Sequence, residues 1–295
     1  MAAAKDKVID SGYTVVDGSS FDVSDPTNGV VPLSMSVEGL EGTGKTYFGL
    51  MTGPLPVVHV NFSDRDATPF LYDMLPERRL LTRLHHFRAR DTNGWSRSEG
   101  KDALVKLSEI AQEEMAGGKM KGGTFIIDSG SSWWEVVQEV FVAPELERQQ
   151  ADYGKQVGGL AYGAGNLVVK GIINWMKAQG AFVILTHQLT QVWDAKGPVP
   201  GRWRARQNNN VPYMMECVIR LSKTCNVCGG PECMAPNHIG RTHWAHLMKF
   251  GKRTELEGTT FSNPSMSSVY GMYTGRLLPN VPERLVPEHG NPDPS

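Results

Sequence analysis

The chain has 295 residues, with 30 Lys and Arg against 31 Asp and Glu and a formal net charge of −1. That length can bury one large α/β core or two modest ones, and the balanced charge excludes a globally basic nucleic-acid-binding domain, so any such contact must come from a local patch. The first residues, Met-Ala-Ala-Ala-Lys-Asp-Lys, lack an apolar signal-peptide core and no apolar run reaches bilayer length; this predicts a soluble, cytoplasmic protein with no membrane partner.

Residues 1–32 mix Gly, Ser, Asp and Pro without a sustained period and read as a lead-in with one edge strand around Tyr13 to Val16. Leu33 to Glu38 alternates as a strand should. It runs into Gly39-Leu40-Glu41-Gly42-Thr43-Gly44-Lys45-Thr46, the G-x-x-x-x-G-K-[ST] pattern of a phosphate-binding loop. Gly39 and Gly44 are expected to take backbone conformations strained for other residues, turning successive N–H groups toward phosphates. Lys45 would reach the β- and γ-phosphates of ATP, and the Thr46 hydroxyl would ligate Mg²⁺. Thr46 to Met51, including Tyr47, forms a short helix before Gly53-Pro54, which places the phosphates at a helix N-terminus.

Pro56 to Asn61 is a second strand, ending in Phe62-Ser-Asp64-Arg-Asp66. Ligands sit at the carboxyl edge of open α/β sheets, so Asp64, or else Asp66, is placed to orient an attacking water; a solvated loop carboxylate is the plainer alternative. Leu81 to Phe87 is a further strand, whose His85-His86 pair lacks metal-ligand spacing. From Lys101 to Met115 the apolar positions share one helical face, a packing helix stopped at Gly117-Gly118. Thr124-Phe-Ile-Ile-Asp128 is an apolar strand ending in a carboxylate, the form of a Walker B strand whose Asp stands at the Mg²⁺ shell. Ser132-Trp-Trp-Glu135 reads as a capping box, with Trp133 and Trp134 serving either a core or a base-stacking platform.

Pro144 to Gly165 is polar and glycine-rich, a mobile loop or a poorly anchored helix; a helix resumes from about Asn166 to Ala178. Ala181 to Leu185 is a buried strand leading to Thr186-His187-Gln188, where Gln188, with His187 next, is placed to sense the γ-phosphate. Leu189 to Val211 then carries Lys196, Arg202, Trp203, Arg204 and Arg206 against one acid, Asp194, with Gly and Pro opposing regular structure. Cations interleaved with indoles suit single-stranded DNA, the alternative being a solvated basic loop.

Met214 to Lys223 begins an antiparallel section. Three of the four cysteines then cluster as Cys225, Cys228 and Cys233, followed by His238, giving C-x₂-C-x₄-C-x₄-H. This is the spacing of a compact Zn²⁺ knuckle, with His243 as an alternative fourth ligand and reduced intracellular cysteines as the metal-free alternative. His246 to Arg253 reads as a strand partnered by Glu257 to Ser262, and the tail from residue 277 is Pro-rich and extended or disordered. The domain layout expected is therefore a lead-in at 1–32, one domain at 33–276 with a knuckle insertion at 224–243, and the tail at 277–295.

From Leu33 to Ser262 the order of these motifs resembles the RecA-like P-loop ATPase core, most closely the compact phage single-strand annealing ATPases of the Sak type. The resemblance implies an α/β fold with a mainly parallel central sheet and a C-terminal antiparallel section. It also implies a homo-oligomeric ATPase of phage-type recombination or replication, with partners such as a single-strand-binding protein. It casts Lys45, Asp64, Asp128 and Gln188 in catalysis, and Lys249 and Lys252 in reaching a neighbouring subunit's nucleotide. The chain differs in carrying Asp where bacterial recombinases have Glu, in showing no N-terminal polymerisation helix, and in the Cys/His insertion. A P-loop kinase, with a lid drawn from the arginines at 78–90 or 202–206, and a nucleotide-switched assembly module are the competing functions.

Overall fold

A computed structural model describes residues 8–9, 13–14, 30–89, 94–153, 158–194, 196–207, 211–230, 240–276 and 278. The chain divides into Met1–Val31 and Pro32–Ser295. In the first unit, Val8–Ile9 pairs antiparallel with Tyr13–Thr14.

In the second unit, β1 (Ser34–Gly39), β2 (Val57–Asn61), β3 (Thr82–His86), β4 (Thr124–Asp128), β5 (Phe182–Asp194) and β7 (Cys217–Cys225) form a parallel sheet. It is extended antiparallel by β8 (Arg241–Phe250) and β9 (Thr260–Ser262), in the order β9-β8-β7-β1-β5-β4-β2-β3. β6 (Gly197–Ala205) pairs antiparallel with the distal half of β5. A mainly parallel sheet with an antiparallel flank fits the RecA-like core that the sequence leads one to expect. Strand β5 lies between β1 and β4, so the strand that ends at Gly39 and the strand that ends at Asp128 share a neighbour.

The residues of β1, β2 and β4 are buried throughout because helices cover both faces. On one face α2 (Arg97–Met115), α3 (Gly130–Val137) and α5 (Gly158–Ala178) bury Leu107, Trp133, Val169 and Ile173 against Val60, Phe125, Ile127 and Leu185. Trp133 and Trp134, 1% and 8% exposed, are therefore core residues and cannot stack on bases. On the other face lie α1 (Lys45–Thr52) and α6 (Met266–Thr274).

Local signals account for several boundaries. Helix α2 opens with a reciprocal capping box between Ser96 and Glu99. Helix α3 opens one turn earlier than expected, its cap being Ser129, whose hydroxyl accepts from Ser132 N. The stretch expected as a loop or loose helix at 144–165 is helical in its described parts, α4 (Ala143–Tyr153) and the start of α5. Gly165 lets α5 seat closely on its neighbours, since a Cβ there would lie 3.2 Å from the side chains of Val137 and Val142. The end of α1 is held by buried Arg78, whose Nε and Nη2 donate to Leu50 O (2.7 Å) and Gly53 O (2.5 Å). Arg78→Ala strands these carbonyls, and an unfolding free energy lower by about 2–4 kcal/mol is expected in denaturant titration; an unchanged midpoint would exclude the capping role. Among the described residues no helix is long and apolar enough to cross a membrane.

Candidate nucleotide site

Strand β1 ends at Gly39, and the turn to α1 is tight. A Cβ on Gly39 would come within 2.3 Å of Thr43 Oγ1 and 2.9 Å of Leu221 O, so its glycine is demanded by close approach, not by its φ. The left-handed residues are Gly42 (φ 71°) and Gly44 (φ 90°). Leu40 O gathers three donors: Thr43 N (3.4 Å), Thr43 Oγ1 (2.8 Å) and Lys45 Nζ (2.8 Å). Lys45 Nζ also donates to Gly39 O at 2.8 Å. Burial lowers the pKa of this ammonium, while the charge of Asp128 opposes the shift. Glu41 projects into solvent and pairs with Arg65, and Tyr47 packs edge-on to Phe70.

Thr46 Oγ1 donates to Asp128 Oδ2 at 2.5 Å, joining the start of α1 to the end of β4. Thr186 donates to Oδ1, and His59 Nε2 donates to Oδ2 at 3.2 Å. Burial alone would raise the Asp128 carboxyl, but the bonds from His59, Thr186 and Thr46 hold it down at about 2. The Asp128–Ser129 peptide is cis. These features fit a nucleoside triphosphate with Mg²⁺: a loop that excludes side chains at Gly39, an ammonium satisfied by loop carbonyls alone, and a hydroxyl beside an ionised carboxylate.

His59 and Thr186 escaped the sequence reading. His59 is the polar exception in Val57-Val58-His59-Val60, and Thr186 directly follows an apolar run, which is the available signal for both. His187 is 1% exposed, and among the described residues neither ring nitrogen has a hydrogen-bond partner. Burial, then the charge of Lys45, pushes its pKa down to about 3, so the ring is neutral. Gln188 is exposed and stands in register with Gly39; Ser131 Oγ accepts from its N–H at 3.2 Å. Asp64 lies exposed in the loop after β2 and Asp66 caps Thr68, while Asn61, paired with Asp128 in the ladder, accepts from Ser63 N at 2.8 Å. His85 and His86 face Glu114 (3.8 Å) and Asp66 (3.7 Å).

The basic stretch after Gln188 differs from the irregular loop expected. It is a β-hairpin, formed by β5 continuing to Asp194 and β6 returning. Its prolines, Pro198 and Pro200, sit in an exposed edge strand, where a missing N–H costs no ladder bond. Arg204 lies opposite Thr190 and Trp203 opposite Gln191. Between these pairs and the next, Trp193 opposite Pro198, the register shifts; Arg202 lies in the irregular stretch, and Trp193 is 70% exposed and Trp203 37%. Lys196 is exposed at the tip, and Arg206 pairs with Glu135 on α3.

Cys225 ends β7, buried, and accepts Val227 N–H at its Sγ (3.4 Å); Cys228 is exposed in the following turn. Cys233 and His238 lie outside the described residues. Among the described residues no group of three or more His, Cys, Asp or Glu could hold a metal ion, so the Zn²⁺ knuckle is not shown. His243, the alternative ligand, points elsewhere, its Nδ1 3.1 Å from Thr43 O of the phosphate loop. Lys249 is taken up within its own chain by Pro212 O (2.6 Å) and Met215 O (2.8 Å), and Lys252 is exposed on the turn after β8.

No protein-family model matches the chain, and no curated protein sequence matches it. Among solved structures, the crystal structure of KaiC-like protein PH0186 from the hyperthermophilic archaea Pyrococcus horikoshii OT3 is similar at 15% identity, covering 78% of this chain and 84% of that one, with a TM-score of 0.42.

Proposed function

We propose that the chain is a Mg²⁺-dependent ATPase that couples nucleotide state to a single-stranded DNA contact on the β5–β6 hairpin, in a phage-type recombination or replication role. The observation that carries this reading is the register of β5. Its residue 188 pairs with Gly39 of the phosphate loop, and the same strand continues without a break into the basic, aromatic hairpin. ATP with Mg²⁺ supplies a phosphoanhydride whose hydrolysis can drive a cycle. Lys45 and the loop N–H groups hold phosphate, Thr46 and Asp128 hold the metal, and Asp64 orients water from the neighbouring strand end. Gln188, at the base of the hairpin, passes nucleotide state outward.

Arg202→Ala with Arg204→Ala is expected to weaken single-stranded DNA binding and lower the salt slope by about 2. Trp193→Ala with Trp203→Ala should weaken binding by about 1–3 kcal/mol per stacked base with the slope unchanged. Phosphate release is measured alongside, with and without DNA; affinity untouched by either pair would sink the hairpin assignment. The kinase reading loses support because Arg78 is buried under α1 and Arg83 pairs with Glu114, leaving no lid from these two.

Two finer parts of the proposal concern Zn²⁺ and assembly. The N–H bond to the Cys225 sulfur is the kind that steadies a thiolate, and Cys228, Cys233 and His238 would complete a closed structural Zn²⁺ site. Elemental analysis of protein purified without chelator should find about one zinc per chain, lost in Cys225→Ser with Cys228→Ser; metal-free native protein would refute it. A homo-oligomer would bring the exposed Lys252 to a neighbour's nucleotide, with a single-strand-binding protein as a further partner.

A further inference from the structure

Strands β7 and β8 do more than extend the sheet. β7 runs parallel to β1 with Leu221 opposite Gly39, then overshoots it by four residues along the phosphate loop. In the antiparallel ladder with β8, Lys223 is directly opposite His243, so both side chains leave the same face. That face meets the loop. Lys223 Nζ lies 3.1 Å from where a Cβ on Gly42 would stand, and His243 Nδ1 lies 3.2 Å from the same point on Gly44. His243 Nδ1 also donates to Thr43 O at 3.1 Å. Among the described residues no carboxylate pairs with Lys223, although it is half-buried.

A trans peptide directs its C=O and the following N–H to opposite sides. Fixing Thr43 O toward His243 therefore turns the Gly44 N–H away from it, as a single preset orientation. Gly44 carries φ 90° and could otherwise choose among several backbone states. Lys223, beside Gly42, places a second ammonium at a loop whose own cation, Lys45, is held at Gly39 O and Leu40 O.

We infer that Lys223 and His243 form a second arm of the nucleotide site: His243 is a positioning residue that presets the Gly44 N–H, and Lys223 is a further cation for a nucleoside polyphosphate. This rests on the proposed reading of the loop as an ATP site. The pair is carried on the strands that flank the cysteine turn and comes from the same chain as the loop.

Two measurements test it. In nucleotide-free protein, hydrogen exchange of a peptide covering 39–47 should quicken in His243→Ala and return toward the parent rate in His243→Asn, which retains an N–H donor. In calorimetric titration with ATP and Mg²⁺, His243→Ala and Lys223→Ala should each raise Kd about tenfold. Lys223→Arg should recover most of the affinity, and Lys223→Ala should bind with a shallower salt dependence. Parent-like exchange and Kd in both alanine variants overturn the inference while leaving the nucleotide reading intact. Absence of ATP binding by the unaltered protein overturns that reading and this inference with it.

Discussion

Lys45→Ala is expected to lower ATP hydrolysis by about 10²–10³-fold, because a preorganised charge aimed at developing phosphate charge is worth that much in a water-poor site. The ligand-free protein should barely notice the change. Lys45 Nζ bonds two carbonyls, and one of them, Leu40 O, keeps both its bonds from Thr43 when the lysine is removed. Stability should therefore fall by less than about 1 kcal/mol. A large kinetic loss beside a small thermodynamic one marks a group whose work is done on the ligand. Phosphate release and denaturant melts on the same preparation check it, and hydrolysis within fivefold of the parent would remove Lys45 from the mechanism.

Asp128→Ala should be costly on both counts. Three donors, from Thr46, Thr186 and His59, converge on this carboxylate, and the residue is 7% exposed. Truncation leaves all three facing a cavity, a loss of about 3–5 kcal/mol, and it should abolish Mg²⁺-dependent hydrolysis. The parent protein has a matching pH signature. The carboxyl is lowered from an ordinary 3.8 to about 2, so the folded state favours the ionised form. Its stabilisation is complete above 3.8 and drains away as pH falls toward 2. Acid melts of the parent and Asp128→Asn should converge across that interval. Parallel curves would assign the acid sensitivity to other carboxylates, such as Glu216, which burial would raise but bonds from Lys177 and Ser34 hold below its usual range.

Much of this arrangement was legible because its signals are local. The Gly39–Thr46 pattern and the apolar run ending at Asp128 each encode their element within eight residues, and both ends meet at the Thr46–Asp128 bond. The hairpin departs from the loop its sequence suggests for a physical reason: Gly197, Pro198, Pro200 and Gly201 oppose an interior strand, yet an edge strand tolerates them. Helix α6 carries local signals of its own, a capping box between Ser265 and Ser268 and a left-handed C-cap at Gly275. The second arm had no sequence signal. His243 reaches Thr43 across 200 residues, and only strand pairing brings them together.

The unbroken run of β5 also has a mechanical consequence. Its first half is clamped between β1 and β4, while its second half, from Leu189, pairs with β6. The six residue steps from Gln188 to Asp194 give a lever arm of about 20 Å, so a tilt of about 10° at the pivot would carry the hairpin tip about 3.5 Å. Because the pivot lies in register with Gly39, a sub-ångström adjustment there would become a displacement of several ångströms at the hairpin tip.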